Sequence, residues 1–299
     1  MDTRTSTHEF APGLFIDIVK PASTTEPHPA IIWLHGGGWR LGDRTGRPDL
    51  NRHFAVHGYV MASIDYRLAP ATRHPGQLHD VRAAVRWLRT HADAHHVDPD
   101  RIGLWGSSAG GHLAALAGVH SHVVQFPGET PTPTSAAVQA VVDGYGPADL
   151  TATAKPEATD TPEAALLGGA IRDWLDAARD ASPALQVASA APPFLIMHGA
   201  DDDLVPPAHS EALYDALAAH GAEAALYVID GFGHGFFNPG EVLELGPGQA
   251  LDQGHLDRDP NATARIRATP ALRSLAEDHP SASFSAVETF FARTLKAAS

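Results

Sequence analysis

The residues with the clearest chemical potential are Gly106-Ser107-Ser108-Ala109-Gly110, a G-x-S-x-G pentapeptide between an apolar strand-like run and an Ala/Leu-rich helical pattern. A serine nucleophile has to project from a sharp turn at the end of a strand, and that turn crowds the residues two positions to either side. Glycine at 106 and 110 meets this need and singles out Ser108, whereas Ser107 lacks a glycine two positions before it. The helix that follows would aim its first amides at negative charge developing on a carbonyl oxygen. A second glycine run, His35-Gly36-Gly37-Gly38-Trp39, also follows an apolar run. Two amides converging on one oxygen need backbone free of side chains, so the expected oxyanion donors are Gly37 and Ala109, with Gly36 close by. A phosphate loop fits poorly, because neither G-x-G-x-x-G nor a G-K-[ST] ending is present. His35 reads as a brace for its loop rather than a base.

Strands and helices must carry these groups. Apolar runs predict strands over 14–19, 30–34, 59–64, 102–105, 138–142, 194–197 and 226–229, the last clear one. Helical spacing predicts helices over 51–57, 77–91, 109–119, 211–220 and 285–295. Such alternation implies an α/β fold with a mostly parallel central sheet and helices on both faces. Residues 1–299 read as a single domain. Segment 126–134 is a Pro/Thr-rich surface loop. Segment 238–283, dense in Pro, Gly and charge, reads as an atypical insertion with one modest helical pattern around 272–275.

Composition narrows the function classes. The chain has 299 residues, 43% hydrophobic and 19% charged, enough to build a sizeable core. With no cysteine, disulfides, thiolate nucleophiles and Cys-ligated metals are excluded. A net charge of −14 argues against nucleic-acid or anionic-membrane partners. No charged start followed by an apolar run opens the chain, and no stretch approaches the roughly 18 apolar residues of a membrane helix, so a cytoplasmic location is expected.

HGGGW at 35–39 together with GSSAGG at 106–111 resembles the α/β-hydrolase esterases, specifically the carboxylesterase branch related to hormone-sensitive lipase and bacterial feruloyl-type esterases. Asp65-Tyr66-Arg67-Leu68-Ala69-Pro70, Asp80, Leu167-Gly168-Gly169, Ser182-Pro183 and Pro192-Pro193-Phe194 extend the likeness over about residues 14–237. The loop after the 194–197 run offers three adjacent acids, Asp201, Asp202 and Asp203. The family pattern H-G-x-x-D-x-x-V-P falls on Asp202. The G-x-x-H-G-F pattern falls on His234, in a glycine-rich loop after the 226–229 run. The resemblance therefore implies an α/β-hydrolase fold and a Ser108–Asp202–His234 triad in the order usual for that fold. It also implies a structural Arg67–Asp80 pair. Trp39 and Tyr145 are candidates either to line the substrate pocket or to pack, while Asp17 and Asp49 carry only a solvated-charge reading.

The HGGG loop begins already at His35, and the acid motif differs from that of hormone-sensitive-lipase relatives, so the resemblance is closer to feruloyl-type esterases with little or no N-terminal cap. Relatives generally reach the final helix soon after the histidine. Here 238–283 intervenes, with a role expected at the cleft rim or in a homo-oligomer contact. The implied reaction is two-step acyl transfer on small to medium acyl or aryl esters, with no metal or cofactor, declining as pH falls through histidine's range of about 6 to 7. An aryl-amide hydrolase of the kynurenine formamidase kind is the alternative. A non-catalytic binding protein on the same fold is a further reading, disfavoured because all three triad positions are filled.

Overall fold

The computed structural model describes residues 2–22, 26–188, 191–238, 255–259 and 261–296. Their strands are β1 (Thr3–Ala11), β2 (Leu14–Pro21), β3 (His28–Leu34), β4 (Val60–Ile64), β5 (Val97–Ser107), β6 (Ala140–Gly144), β7 (Phe194–Gly199), β8 (Ala224–Ile229), β9 (Ala262–Ala268) and β10 (Ser281–Ala282). The α-helices are α1 (Leu50–His53), α2 (Gly76–Thr90), α3 (Ala92–His95), α4 (Ala109–Val119), α5 (Pro162–Leu167), α6 (Leu175–Asp180), α7 (Ala208–Ala219), α8 (Arg273–Asp278) and α9 (Phe284–Leu295).

The strands form one sheet in the order β1-β2-β4-β3-β5-β6-β7-β8-β9-β10. Pairing is parallel from β4 across to β8 and antiparallel at both ends. After β3 the chain steps outward to β4, then returns to lay β5 on the other side of β3. This reversal is the switch point where open α/β sheets leave a crevice beyond the carboxyl ends of their strands. Leu34 pairs with Gly106 there, so the segments that follow β3 and β5 emerge side by side.

The central strands read as unbroken apolar runs because both of their faces are covered. Side chains alternate across the sheet, and two cores record that alternation. Ala30, Ile32, Leu34, Leu104 and Ile196 pack on one face with α2 and α4. Ile31, Trp33, Trp105, Leu195 and Tyr227 pack on the other with α9, through Val287, Phe290 and Phe291. Every residue of α4 is buried, which explains its composition of small and aliphatic side chains, His112 apart, without a polar stripe. Among the described residues no helix is long and apolar enough to cross a membrane.

The structure departs from the sequence reading mainly at the sheet's edges. β1 pairs with β2 as a hairpin ahead of the predicted first strand. Beyond the predicted last strand, β9 pairs with β8 over residues read as loop. Its sequence ATARIRA is covered on one face only and carries arginines, so its apolar signal is weak. The rest of the inserted segment is α8, β10 and short turns, with 239–254 and 260 outside the described residues. The solvated-charge reading of Asp17 is corrected, whereas Asp49 is exposed as read. Asp17 is buried and paired with Arg44 at 3.0 Å and Arg47 at 3.4 Å. Asp49 caps α1, accepting from the amides of Asn51 and Arg52.

Candidate active site

Ser108 stands between β5 and α4 with φ 54° and ψ −121°, a conformation that costs energy for any side-chain-bearing residue. Its amide donates to the carbonyl of Gly144 at the end of β6 (2.7 Å), which anchors the turn. The flanking glycines are steric requirements. A Cβ on Gly106 would lie 2.3 Å from the Gly110 carbonyl oxygen, and one on Gly110 would lie 2.1 Å from the Leu34 carbonyl oxygen. Helix α4 thus begins in backbone contact with the end of β3.

Two further loops converge on this serine. His234 Nε2 is 2.8 Å from Ser108 Oγ, and His234 Nδ1 is 2.7 Å from Asp202 Oδ2. An ionised carboxylate only accepts, so Nδ1 carries the ring proton and Ser108 Oγ donates to Nε2. The three residues are 7%, 3% and 4% exposed for Ser108, His234 and Asp202. Asp202 Oδ1 accepts from the amides of Leu204 and Val205, each at 2.9 Å. Burial alone would oppose ionisation of Asp202, but the imidazoles of His198 and His234 outweigh it and hold its carboxyl well below the usual carboxylate range. Of the three adjacent acids, Asp201 and Asp203 are exposed and Asp202 is the one turned inward.

The HGGG loop lies beside the turn that carries Ser108. Gly37 has φ +110°, and a Cβ there would lie 2.2 Å from the Leu41 carbonyl oxygen. The turn closes through Arg40 and Leu41 amides donating to the Gly37 carbonyl. Among the described residues, the backbone N–H groups of Gly36, Gly37 and Ala109 donate to no protein acceptor. His35 braces the loop as expected: its ring stacks on Tyr66 with centroids 4.2 Å apart, and Tyr66 Oη donates to the His35 carbonyl (2.9 Å). Arg67 and Asp80 pair at 2.7 Å, and the nearby Ala69 amide donates to the Trp39 carbonyl, tying DYRLAP to the loop.

Trp39 and Tyr145 both pack inside the protein around the site. Trp39 is buried, with Nε1 donating to His112 Nδ1 at 3.1 Å. His112 in turn donates from Nε2 to the Ala181 carbonyl (2.7 Å), so the indole ties the HGGG loop to α4. Burial pushes His112 down to about 3, which keeps its ring neutral and able to accept. Tyr145 is also buried, its ring centroid 4.7 Å from that of His234 and its hydroxyl accepting from the Phe237 amide.

Two polar residues at the site escaped the sequence reading. His198, buried at the end of β7, reaches Asp202 Oδ2 at 3.2 Å from Nε2. Its place as the first letter of the H-G-x-x-D pattern was the available signal. Asp143 is buried beside Gly111 and Gly146 and is pushed up to about 7 by burial, against a hydrogen bond from the Gly146 amide. Among the described residues no group of three or more His, Cys, Asp or Glu is arranged to hold a metal ion.

Sheet order and the strand–turn–helix around Ser108 together define an α/β-hydrolase fold. Residues 16–217 match the model of the BD-FAE family, and the chain belongs to that family. Esterase LipC of Mycobacterium tuberculosis is 37% identical over 71% of this chain and 54% of its own length. The chain thus spans about half the length of the curated relatives it matches. Among solved structures, a truncated carbohydrate esterase from gut microbiota superposes with a TM-score of 0.69 at 31% identity, covering 73% of this chain and 83% of that one. The propionate-bound esterase Est2 of Thermogutta terrifontis gives 0.66 at 27% identity, covering 80% and 87%.

Proposed function

We propose that this chain is a serine carboxylic-ester hydrolase in which Ser108 is the nucleophile, His234 the general base and acid, and Asp202 the group that orients and charge-stabilises His234. The observation that carries the reading is the continuous series Ser108 Oγ, His234, Asp202 with contacts of 2.8 and 2.7 Å. As Ser108 Oγ bonds to the ester carbonyl carbon, its proton passes to His234 Nε2 and the carbonyl π pair moves onto oxygen. Amides of Gly37 and Ala109, with Gly36 beside them, receive that oxyanion. The tetrahedral intermediate collapses to an acyl-serine as the alkoxide leaves and takes the proton from His234. Water, deprotonated by His234, then attacks the acyl-serine, and Ser108 recovers its proton as the acid departs. Asp202, held ionised by its neighbours, stabilises the imidazolium in both halves.

The substrates we propose are small to medium acyl or aryl esters. Esterase relatives and a neighbour solved with propionate support the shorter acyl groups over the aryl-amide alternative. The test is a nitrophenyl ester series from acetate to decanoate, run beside methyl ferulate, acetylated xylan and N-formylkynurenine. Ester turnover that favours the short chains and vanishes with Ser108→Ala is expected. Turnover of N-formylkynurenine above every ester would overturn the substrate class.

A further inference from the structure

We infer that His198 is a positioning residue for the acid of this site, holding Asp202 in place and competing with His234 for the same carboxylate oxygen. The inference rests on the serine-hydrolase reading and goes beyond it, since the triad chemistry does not call for a second imidazole.

His198 is fully buried and spans two elements. Its Nδ1 is 2.7 Å from Ser210 Oγ on α7. Its Nε2 is 2.8 Å from the Val205 carbonyl oxygen and 3.2 Å from Asp202 Oδ2. Both neighbours of Nε2 are acceptors, so Nε2 carries the proton and the Ser210 hydroxyl donates to Nδ1. The Val205 carbonyl is the nearer acceptor, and Oδ2 takes the longer share of the same N–H.

The placement has two consequences. By gripping Val205, the ring fixes the turn whose Leu204 and Val205 amides hold Asp202 Oδ1. By lying against Oδ2, it also draws on the charge that His234 uses from its other side at 2.7 Å. Each donor on a carboxylate oxygen weakens what that oxygen offers the next. His198 therefore steadies Asp202 while moderating its pull on His234. The titratable groups around the ring are Asp202, His234 and, from α7, His209, whose Nδ1 accepts from the Asp149 amide.

The test compares His198→Met, which removes both ring nitrogens at similar volume, with His198→Gln, which retains an amide donor able to reach the same acceptors. kcat and KM for nitrophenyl acetate are measured against pH, with working sites counted by fluorophosphonate titration and folding checked by thermal melting. For His198→Met we expect kcat per titrated site to fall about 10-fold or more, as when an orienting partner is lost, with KM within about 3-fold. The acid limb of kcat/KM should move to higher pH by roughly 0.5 unit or more, because Oδ2 now acts on His234 alone. His198→Gln should recover most of both changes. If His198→Met does not fold, His198→Asn decides. It keeps a polar amide in the same place but is too short to reach Asp202 Oδ2, so a limb shift in the same direction supports the inference. An unmoved limb in the variants that fold would overturn it, as would a loss in His198→Met that merely tracks the number of working sites. A wild-type protein that cleaves no ester and takes up no fluorophosphonate would sink the esterase reading itself.

Discussion

The turn that carries Ser108 and the loop that carries Asp202 solve the same positioning problem by different means. Around Ser108 the constraint is steric and lies in the backbone: Gly106, Gly110 and Gly37 each occupy a spot where a single added carbon would collide with a main-chain atom. Around Asp202 the constraint is polar and lies in donors: two amides on Oδ1 and two imidazoles on Oδ2. Close-packed backbone has no room to relax, whereas a hydrogen-bonded carboxylate can be altered without disturbing the turn that carries it. The first region should therefore fail by losing its structure and the second by losing its rate.

The sharpest way to break the comparison is Gly110→Ala. The new methyl meets the Leu34 carbonyl at the junction of β3 and α4, and no flexible side chain is there to yield. Little folded protein is expected by thermal melting or gel filtration, and a variant melting within a few degrees of wild type would refute the steric account. Next in size, Asp202→Asn should lower kcat by about 10⁴, because an amide there no longer enforces the productive imidazole tautomer. The variant should still fold, with a melting temperature lowered at neutral pH because the folded state loses a carboxylate its neighbours hold ionised, and a loss in kcat under 10-fold would remove Asp202 from its assigned role.

The smallest effect probes a buried acid behind the first region. Asp143 lies at the end of β6, where the Gly144 carbonyl holds the Ser108 amide and Tyr145 backs His234. Burial raises its folded value to about 7, against about 3.9 in an unfolded chain. Between those limits the unfolded state has released a proton that the folded state keeps, so this group makes stability fall as pH rises toward 7. Asp143→Asn removes the penalty. Its melting temperature should exceed that of wild type by a few degrees more at pH 8 than at pH 4, and an equal difference at both would contradict the assignment.

How much was legible in the sequence follows from the same division. The nucleophile turn was readable because sterics dictate its spelling, so the spacing of Gly106 and Gly110 is enough to single out Ser108. The choice among Asp201, Asp202 and Asp203 was not fixed by residue type. It came from a family pattern, and the structure turns Asp202 inward through contacts to His234 and His198 that are distant in the chain or fixed only by the fold. The central strands were legible because burial on both faces leaves long apolar runs. β1 and β9 were not, since a strand covered on one face near a sheet edge keeps many polar side chains. Residue type left Trp39 equally suited to lining or packing. Its bond to His112 was out of reach of the sequence, since that contact depends on how α4 meets the HGGG loop.

The central claim is that Ser108, activated by His234, is the attacking group. Covalent labelling with a fluorophosphonate, followed by mass mapping of the modified peptide, tests it most directly. The account predicts one adduct, on Ser108, abolished in Ser108→Ala and strongly slowed in His234→Ala. An adduct on Ser107 or any other residue, or ester hydrolysis that continues in Ser108→Ala, would contradict it.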